Sequence, residues 1–584
     1  MIKIFFKKST LHKPFLFFIS LTFSSLSFAQ FFPAKNYPKG YFIYPVEAKI
    51  GLAANFGELR SNHYHMGLDC RTDRAENKIV KAAAEGYIAR VSVAPFGFGR
   101  AIYINHPNGL TTLYGHLNGF YPALETYLKE QQYKLESWQV SLIIPAGLFP
   151  VKKGQFIAYS GNTGGSQGPH CHFEIRDTKT EKVLNPLLFN LSIPDNVPPT
   201  ILRLSMYDRC KSTYSQVPKI FALKTENGKY TTVQNLITVN TDKISFGIAA
   251  NDKQSGSNNP NGIYEAIIYL DGLPLSAFQL DSISYDETRY LNAHIDYKTR
   301  AAGGSYYEHL SRLPGYPKGV YKDINGDGVI ELTDDNIHQV KIEVKDADGN
   351  TSVLNFNIKK GIIIENGLRG DTANYFNKLE FHPGFVNVFE SDDLQLYLTP
   401  KALYDSVAFT HSSKTSADPR VYSKVYSVLS GLVPVQDNFT IRIKTDKPVD
   451  EKLADKMLMK RSWKGKSEVI KAKRDGDWYT AKFKTFGDFE LVADDEPPVI
   501  VSSFHENANL AKTRSIIITP KDNNDEIKNF RAELDGKWLR FTNDKGRAFI
   551  YTFDEMCPPG NHELKISVAD EAGNVTEKNY HFTR

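Results

Sequence analysis

Most of the 584-residue chain is built of short segments in which apolar and polar positions alternate, separated by turns rich in Gly, Asn, Asp and Pro. The alternation is sharpest in His170-Cys-His-Phe-Glu-Ile-Arg176, with Cys171, Phe173 and Ile175 on one face and His170, His172, Glu174 and Arg176 on the other. This pattern predicts a half-buried strand whose imidazoles lie on the open face. The runs DLQLYLTP, NFTIRIKTD and WYTAKFKTF, between residues 361 and 493, read as strands too. Helical spacing is scarce, but Tyr121 to Val140 places Leu124, Tyr127, Leu128, Leu135 and Trp138 near one helical face. The expected fold class is therefore mainly β.

The segments fall into an internal repeat. Asp195-Asn-Val-Pro-Pro-Thr-Ile201 and Asp494-Asp-Glu-Pro-Pro-Val-Ile500 each put a rigid Pro-Pro step before an apolar strand. Behind the first entrance come Asn251-Asp252, Leu270-Asp-Gly272 and VKDADGN ending at Asn350; behind the second come Lys521-Asp522, Leu534-Asp-Gly536 and VADEAGN ending at Asn574. The two Leu-Asp-Gly steps predict hairpin turns in which Gly supplies a positive φ. The reading is two β-sandwich domains of immunoglobulin-like type, at residues 195–360 and 495–584, flanking a β domain of uncertain type at 361–494. Leu270 to Gly349 covers 79 positions where Leu534 to Gly573 covers 39, so the first copy carries an insertion of about 40 residues.

Charge and cysteine content narrow the class. Lys3, Lys7, Lys8 and Lys13 precede an apolar run from Phe15 to Leu26 and a Ser27-Phe28-Ala29 ending, which reads as a secretory signal peptide over residues 1–29. Its removal takes away four lysines and no acids, so the formal charge falls from +5 to +1. Such a mature chain gives no reason to expect nucleic acid as a partner. With no second long apolar stretch, no transmembrane helix is expected in it, and its expected destination is the periplasm, cell surface or exterior. Four cysteines, Cys70, Cys171, Cys210 and Cys557, are too few and scattered for a disulfide framework.

The chemistry concentrates in residues 30–194. Histidines cluster in Asn62-His-Tyr-His-Met-Gly-Leu-Asp69, Leu113-Tyr-Gly-His-Leu117 and Gly168-Pro-His-Cys-His-Phe-Glu174. Histidine nitrogens with one carboxylate suit zinc, and a catalytic site takes three protein ligands and leaves one position open. The surplus histidines would serve as acid–base and transition-state groups, since no HExxH helix is present to supply a glutamate base.

These three segments, with the Gly161-Asn-Thr-Gly164 turn, resemble the lysostaphin-type (LytM-domain) peptidoglycan endopeptidases over roughly residues 40–190. The resemblance implies Zn2+ held by His65, Asp69 and His172, with His116 and His170 as the catalytic histidines. Which of those two is the base stays open. Cys171 stands where a Leu is usual, and a segment is inserted after Leu117; neither removes a ligand. The implied function is hydrolysis of peptide cross-links or stem peptides of peptidoglycan. His63 and Glu174 are expected around the ligands as outer partners.

Cys70 and Cys171 both point inward beside ligand residues, as a disulfide or as two buried thiols. The Tyr121–Val140 helix either walls the substrate groove or packs on the sheet away from it. Asp323, Asn325, Asp327, the Val329 carbonyl, Glu331 and Asp334 match the ligand spacing of an EF-hand loop, making Ca2+ a second expected cofactor. Residues 452–474 hold nine Lys/Arg and two acids, a surface for anionic polymers or cell-envelope proteins. The competing functional readings are a catalytically silent wall-binding or regulatory scaffold and an adhesin built on the β-sandwich domains.

Overall fold

The computed structural model describes residues 31–32, 35–226, 228–361, 379–524, 527–546 and 548–584; the expected signal peptide lies outside them. The fold is mainly β. Among the described residues no helix is long and apolar enough to cross a membrane.

The histidine-bearing segments form the centre of a ten-stranded sheet. Its main path runs Leu52–Ala54, Leu68–Arg71, His170–Asp177, Leu110–Gly115, Arg100–Asn105, Gly86–Val93, Val140–Ile143. The alternation predicted for the His170–Asp177 strand holds on its inner face, where Cys171, Phe173 and Ile175 join one apolar core with Leu68, Cys70 and Tyr114. The outer face differs from expectation. His172, Glu174 and Arg176 are all buried there, because Phe98, Tyr103 and Tyr285 close over Arg176 at 6.0, 5.4 and 5.0 Å from its guanidinium carbon.

Tyr285 belongs to the insertion in the first repeat copy, and its presence has a structural cause. Val183–Leu184, paired to the His170–Asp177 strand, also pairs with Ser282–Ile283, so the sheet runs on into the insertion. Thr288 Oγ1 accepts from Tyr64 N (3.0 Å) and Asn292 Nδ2 donates to Asn62 Oδ1 (3.1 Å), fastening the insertion to the hairpin of Leu59–Arg60 and His63–Tyr64. Phe56, Tyr64, Met66 and Val183 share a core with strands beyond residue 200.

Both Leu-Asp-Gly steps are the two-residue hairpin turns the sequence predicts. Asp271 and Gly272 have φ of 49° and 82°, Asp535 and Gly536 of 51° and 76°, the pair of positive values that matches strand twist. Residues 200–360 wrap an eleven-stranded sheet around one core, with Lys229–Val239 parallel to Thr351–Lys360. Two five-stranded sheets enclose the core of residues 381–493, and a three-stranded and a five-stranded sheet enclose that of 500–582. Asn36–Arg584 form one compact unit.

The helix runs Pro122–Lys134, burying Leu124, Leu128 and Gln132. Its outward contacts hold the C-terminal region. Lys129 pairs with Asp554 (2.9 Å) and Glu555 (2.6 Å), Arg540 donates to Gln132 Oε1 (3.0 Å), and Tyr133 meets Trp538 edge-on.

The expected calcium loop does not form. Asp323 is bound by Arg312 through both oxygens (3.1 and 2.8 Å), and Asn325 Nδ2 donates to Pro274 O. Asp327 caps the Val329 amide, Glu331 faces Lys243 at 3.6 Å, and Asp334 meets His338. The linear spacing fitted, but strand pairing at Tyr321–Asp323 and Ile330–Glu331 spreads these groups, and they gather into no group of three.

Candidate metal centre

Strand register explains why five side chains far apart in sequence converge. Asp69 lies directly across from His172 on one side and Gly115 across on the other, so His116 stands one residue past the end of the Leu110–Gly115 strand. His65 arrives through Met66-Gly67. A Cβ on Gly67 would lie 2.5 Å from Phe173 O and 2.9 Å from His172 Nε2. Gly67→Ala is therefore expected to destabilise the fold by about 1–3 kcal/mol through overpacking, read as a lower denaturant midpoint. His116 itself has φ of 60°, a left-handed conformation uncommon for a non-glycine residue, held by its N–H to Phe98 O (2.8 Å).

Three donor atoms meet. His65 Nε2, Asp69 Oδ1 and His172 Nδ1 are 2.9, 3.0 and 3.1 Å apart pairwise. Their partners fix their lone pairs. His65 Nδ1 contacts Asn55 O (2.7 Å), which can only accept, so the proton sits on Nδ1 and Nε2 is bare. His172 Nε2 contacts Glu174 Oε1 (3.0 Å), leaving Nδ1 bare by the same logic. Arg60 takes the other oxygen of Asp69 at 2.7 Å, so Oδ1 faces the centre. Three bare donors of type N, N and O, this close and nearly buried, fit a small divalent cation of zinc type and leave it an open side.

The electrostatics agree. Burial works to raise the Asp69 carboxyl, but the neighbouring imidazoles of His65, His170 and His172 hold it well below the usual carboxylate range, so it is the anionic member of the centre. Burial works to lower His172, and hydrogen bonds to Asp69 and Glu174 outweigh it, pushing it up to about 9, so a proton competes with a cation for the Nδ1 lone pair. Glu174, fully buried, also accepts from Arg176 Nε (2.6 Å) and Tyr285 OH (2.5 Å).

His116 and His170 flank the open side, their ring centroids 4.7 Å apart. His116 Nδ1 donates to Thr163 O (2.8 Å), which leaves Nε2 as the acceptor. Burial first, then the neighbouring charges of His170 and His172, push His116 down to about 3, so it is neutral. His170 Nδ1 donates to Gly168 O (2.8 Å), and its Nε2 stands 3.3 Å from Asp69 Oδ1.

Of the two expected outer partners, Glu174 touches His172, whereas His63 is exposed and donates to Ser61 O (2.8 Å). Across the hairpin from His63, Arg60 is the residue that binds Asp69. Arg60, Asn55 and Tyr285 were not legible as site residues. Cys70 and Cys171 pair in register beneath the centre as free buried thiols.

One rim of the cleft is completed from the far end of the chain. Asp544 Oδ1 accepts from Gly164 N (2.8 Å), and Lys545 Nζ donates to Ser166 O (2.8 Å) and Asn162 Oδ1 (3.2 Å). These belong to the loop that supplies the Thr163 carbonyl for His116.

Residues 380–494 match the family model of a Zu5-like domain. The chain is 28% identical over 159 residues to a metalloprotease of Haemophilus influenzae, covering 26% of this chain and 28% of that protein. It is also 28% identical over 158 residues to the DD-carboxypeptidase/endopeptidase Mpg of Neisseria meningitidis, covering 27% of each. The chain thus spans little more than a quarter of the length of these curated relatives. Among solved structures, the catalytic domain of lysostaphin from Staphylococcus simulans is 23% identical over 23% of this chain and 87% of that one, with a TM-score of 0.18. In sequence, about a quarter of this chain is thus similar to curated bacterial proteins named as a metalloprotease and as a DD-carboxypeptidase/endopeptidase.

Proposed function

We propose that this chain is a zinc metalloendopeptidase that hydrolyses peptide cross-links or stem peptides of bacterial peptidoglycan. The observation that carries the reading is the meeting of three bare donors, His65 Nε2, Asp69 Oδ1 and His172 Nδ1, with two further histidines on the open side. The sequence relatives named for protease and endopeptidase activity support the same class.

His65, Asp69 and His172 would hold a zinc ion there, and its chemistry would be Lewis acidity toward a scissile carbonyl and toward water. The chain's own groups do the rest. His116, neutral and with its Nε2 lone pair free, takes the proton of the attacking water. His170, held through Nδ1 by the Gly168 carbonyl, faces the same open side, and as an imidazolium its Nε2 donates toward the developing oxyanion. Asn55 and Glu174 fix the tautomers of the two ligand histidines. Glu174→Gln removes a charge that His172, Arg176 and Tyr285 all bind, and is expected to weaken metal affinity by about 10–100-fold in competition with a chromophoric chelator.

The export reading places this activity in the periplasm or at the cell surface, on the strength of the four early lysines and the apolar run behind them. Residues 195–360 and 495–584 are read as immunoglobulin-like sandwiches, supported by the repeated landmarks and hairpins. Contacts with envelope proteins or anionic polymers would fall to the β regions. Much of the basic stretch is spent internally, with Lys456 and Lys471 on the Gly573 and Ala572 carbonyls. Purified protein, with its zinc counted, should release muropeptides from sacculi where His172→Ala does not; equal release by both would defeat the proposal.

A further inference from the structure

The landmarks that define the repeat do more than mark turns. In the first copy, the acid before Pro-Pro, the acid closing the Lys243–Asn251 strand and the acid of Val-Lys-Asp bring Asp195, Asp252 and Asp346 together, with one oxygen of each within 4.8 Å of the others. The second copy repeats the triad at the same landmarks as Asp494, Asp522 and Asp570. Both copies bring three carboxylates together where electrostatics alone would drive them apart.

Two carboxylates of the first triad are buried, Asp195 is half-buried, and the triad lacks a counter-charge. Asp252 and Asp346 are each 4% exposed. Among the described residues no lysine, arginine or histidine forms an ion pair with any of the three. Asp346 spends its oxygens on its own turn, accepting from Asp348 N, Asn350 N and Asn350 Nδ2. Asp252 differs: its Oδ1 is buried and has no hydrogen-bond partner at all, a state that costs about 1–3 kcal/mol or more for a polar group. The atom at the same landmark in the second copy, Asp522 Oδ1, is also buried without a partner.

The surroundings make the deficit larger. Burial, then the charges of Asp195 and Asp346, push the Asp252 carboxyl up to about 7. Burial and the charges of Asp346 and Asp195 also push Asp348 up to about 6, with Lys39 the one cation that opposes this. Asn261, paired with Asp252 through both backbone amides (3.0 and 2.8 Å), has a buried Oδ1 that is likewise unpartnered. The group offers oxygen donors only, several of them anionic. That is the chemistry of a hard cation with many oxygen ligands, and the opposite of the nitrogen-rich centre at His65 and His172.

We propose that Asp195, Asp252 and Asp346 hold a divalent cation of the calcium class at the joint between the peptidase segment and the first β repeat, with Asp494, Asp522 and Asp570 as its repeated counterpart at the last joint. Asp195 lies in the connecting segment itself, so a cation binding it ties the connection to two strands of the following sheet. Affinity in the range of extracellular modules, Kd of about 10⁻⁴–10⁻³ M, is the expectation for such a site.

The test is calorimetric titration of CaCl2 into the full-length protein cleared of calcium, alongside thermal unfolding with and without about 5 mM calcium, a several-fold excess over that Kd. Wild type is expected to bind calcium and to unfold at a temperature several degrees higher with it. Asp252→Asn keeps the side chain's shape and removes one of the repelling charges, so it should fold at least as stably as wild type in chelator. It is expected to bind one equivalent fewer than wild type and to lose part of the thermal shift, while Asp522→Asn retains the first site. Wild type that gives neither heat nor shift overturns the proposal. So does an Asp252→Asn protein that binds as many equivalents as wild type.

Discussion

The His172→Ala protein is expected to carry no zinc at its centre and to release muropeptides at least about 10³-fold more slowly than wild type, since metal-assisted hydrolysis draws several kcal/mol from the ion. The change removes one of three donors that stand about 3 Å apart. It also strips Glu174 of the N–H it accepts, leaving a fully buried carboxylate with Arg176 and Tyr285. Inductively coupled mass spectrometry gives the zinc content, and chromatography of sacculus digests gives the rate. Near-UV circular dichroism reports whether Phe98, which packs on the His172 ring at 5.3 Å, keeps its surroundings. A folded variant that retains a full equivalent of zinc would remove His172 from the ligand set.

His116→Asn should behave differently: zinc retained, turnover lower by about 10²–10⁴-fold, the range ascribed to a positioned general base. Asparagine is the apt replacement because residue 116 sits at φ 60°, a conformation that Asn tolerates better than most residues. None of the three donor atoms belongs to His116, and the Asp69–His172 pairing lies on the far side of the central strand from it. Loss of metal together with activity would make His116 a structural prop of the centre, and the proton acceptor would have to be sought in His170.

The sequence made some of this legible for a simple reason. Period-two alternation says which side chains share a face, so His172, Asp69 and the inward Cys70 and Cys171 could be sorted before any fold was known. The Leu-Asp-Gly turns were legible because a two-residue hairpin leaves its mark within four residues. What stayed hidden depends on pairing between distant segments. Tyr285 reaches Glu174 across 111 residues only because Ser282–Ile283 extends the sheet from Val183–Leu184. Arg60 and His63 lie directly opposite each other in a short hairpin, and sequence alone does not show that the longer Arg60 side chain is the one that reaches Asp69. The calcium loop shows the reverse error, a pattern correct along the chain whose members are pulled apart by strands.

The brace formed by Asp544 and Lys545 also has a meaning in time. It closes contacts across 380 and 383 residues, so a chain made from its N-terminus builds its histidine cluster long before the loop that buttresses the cleft rim exists. Segments generally fold in order of synthesis, and contacts of such long range are slow to form. The brace on the cleft rim is therefore expected to close late, after the histidine-bearing strands have been made.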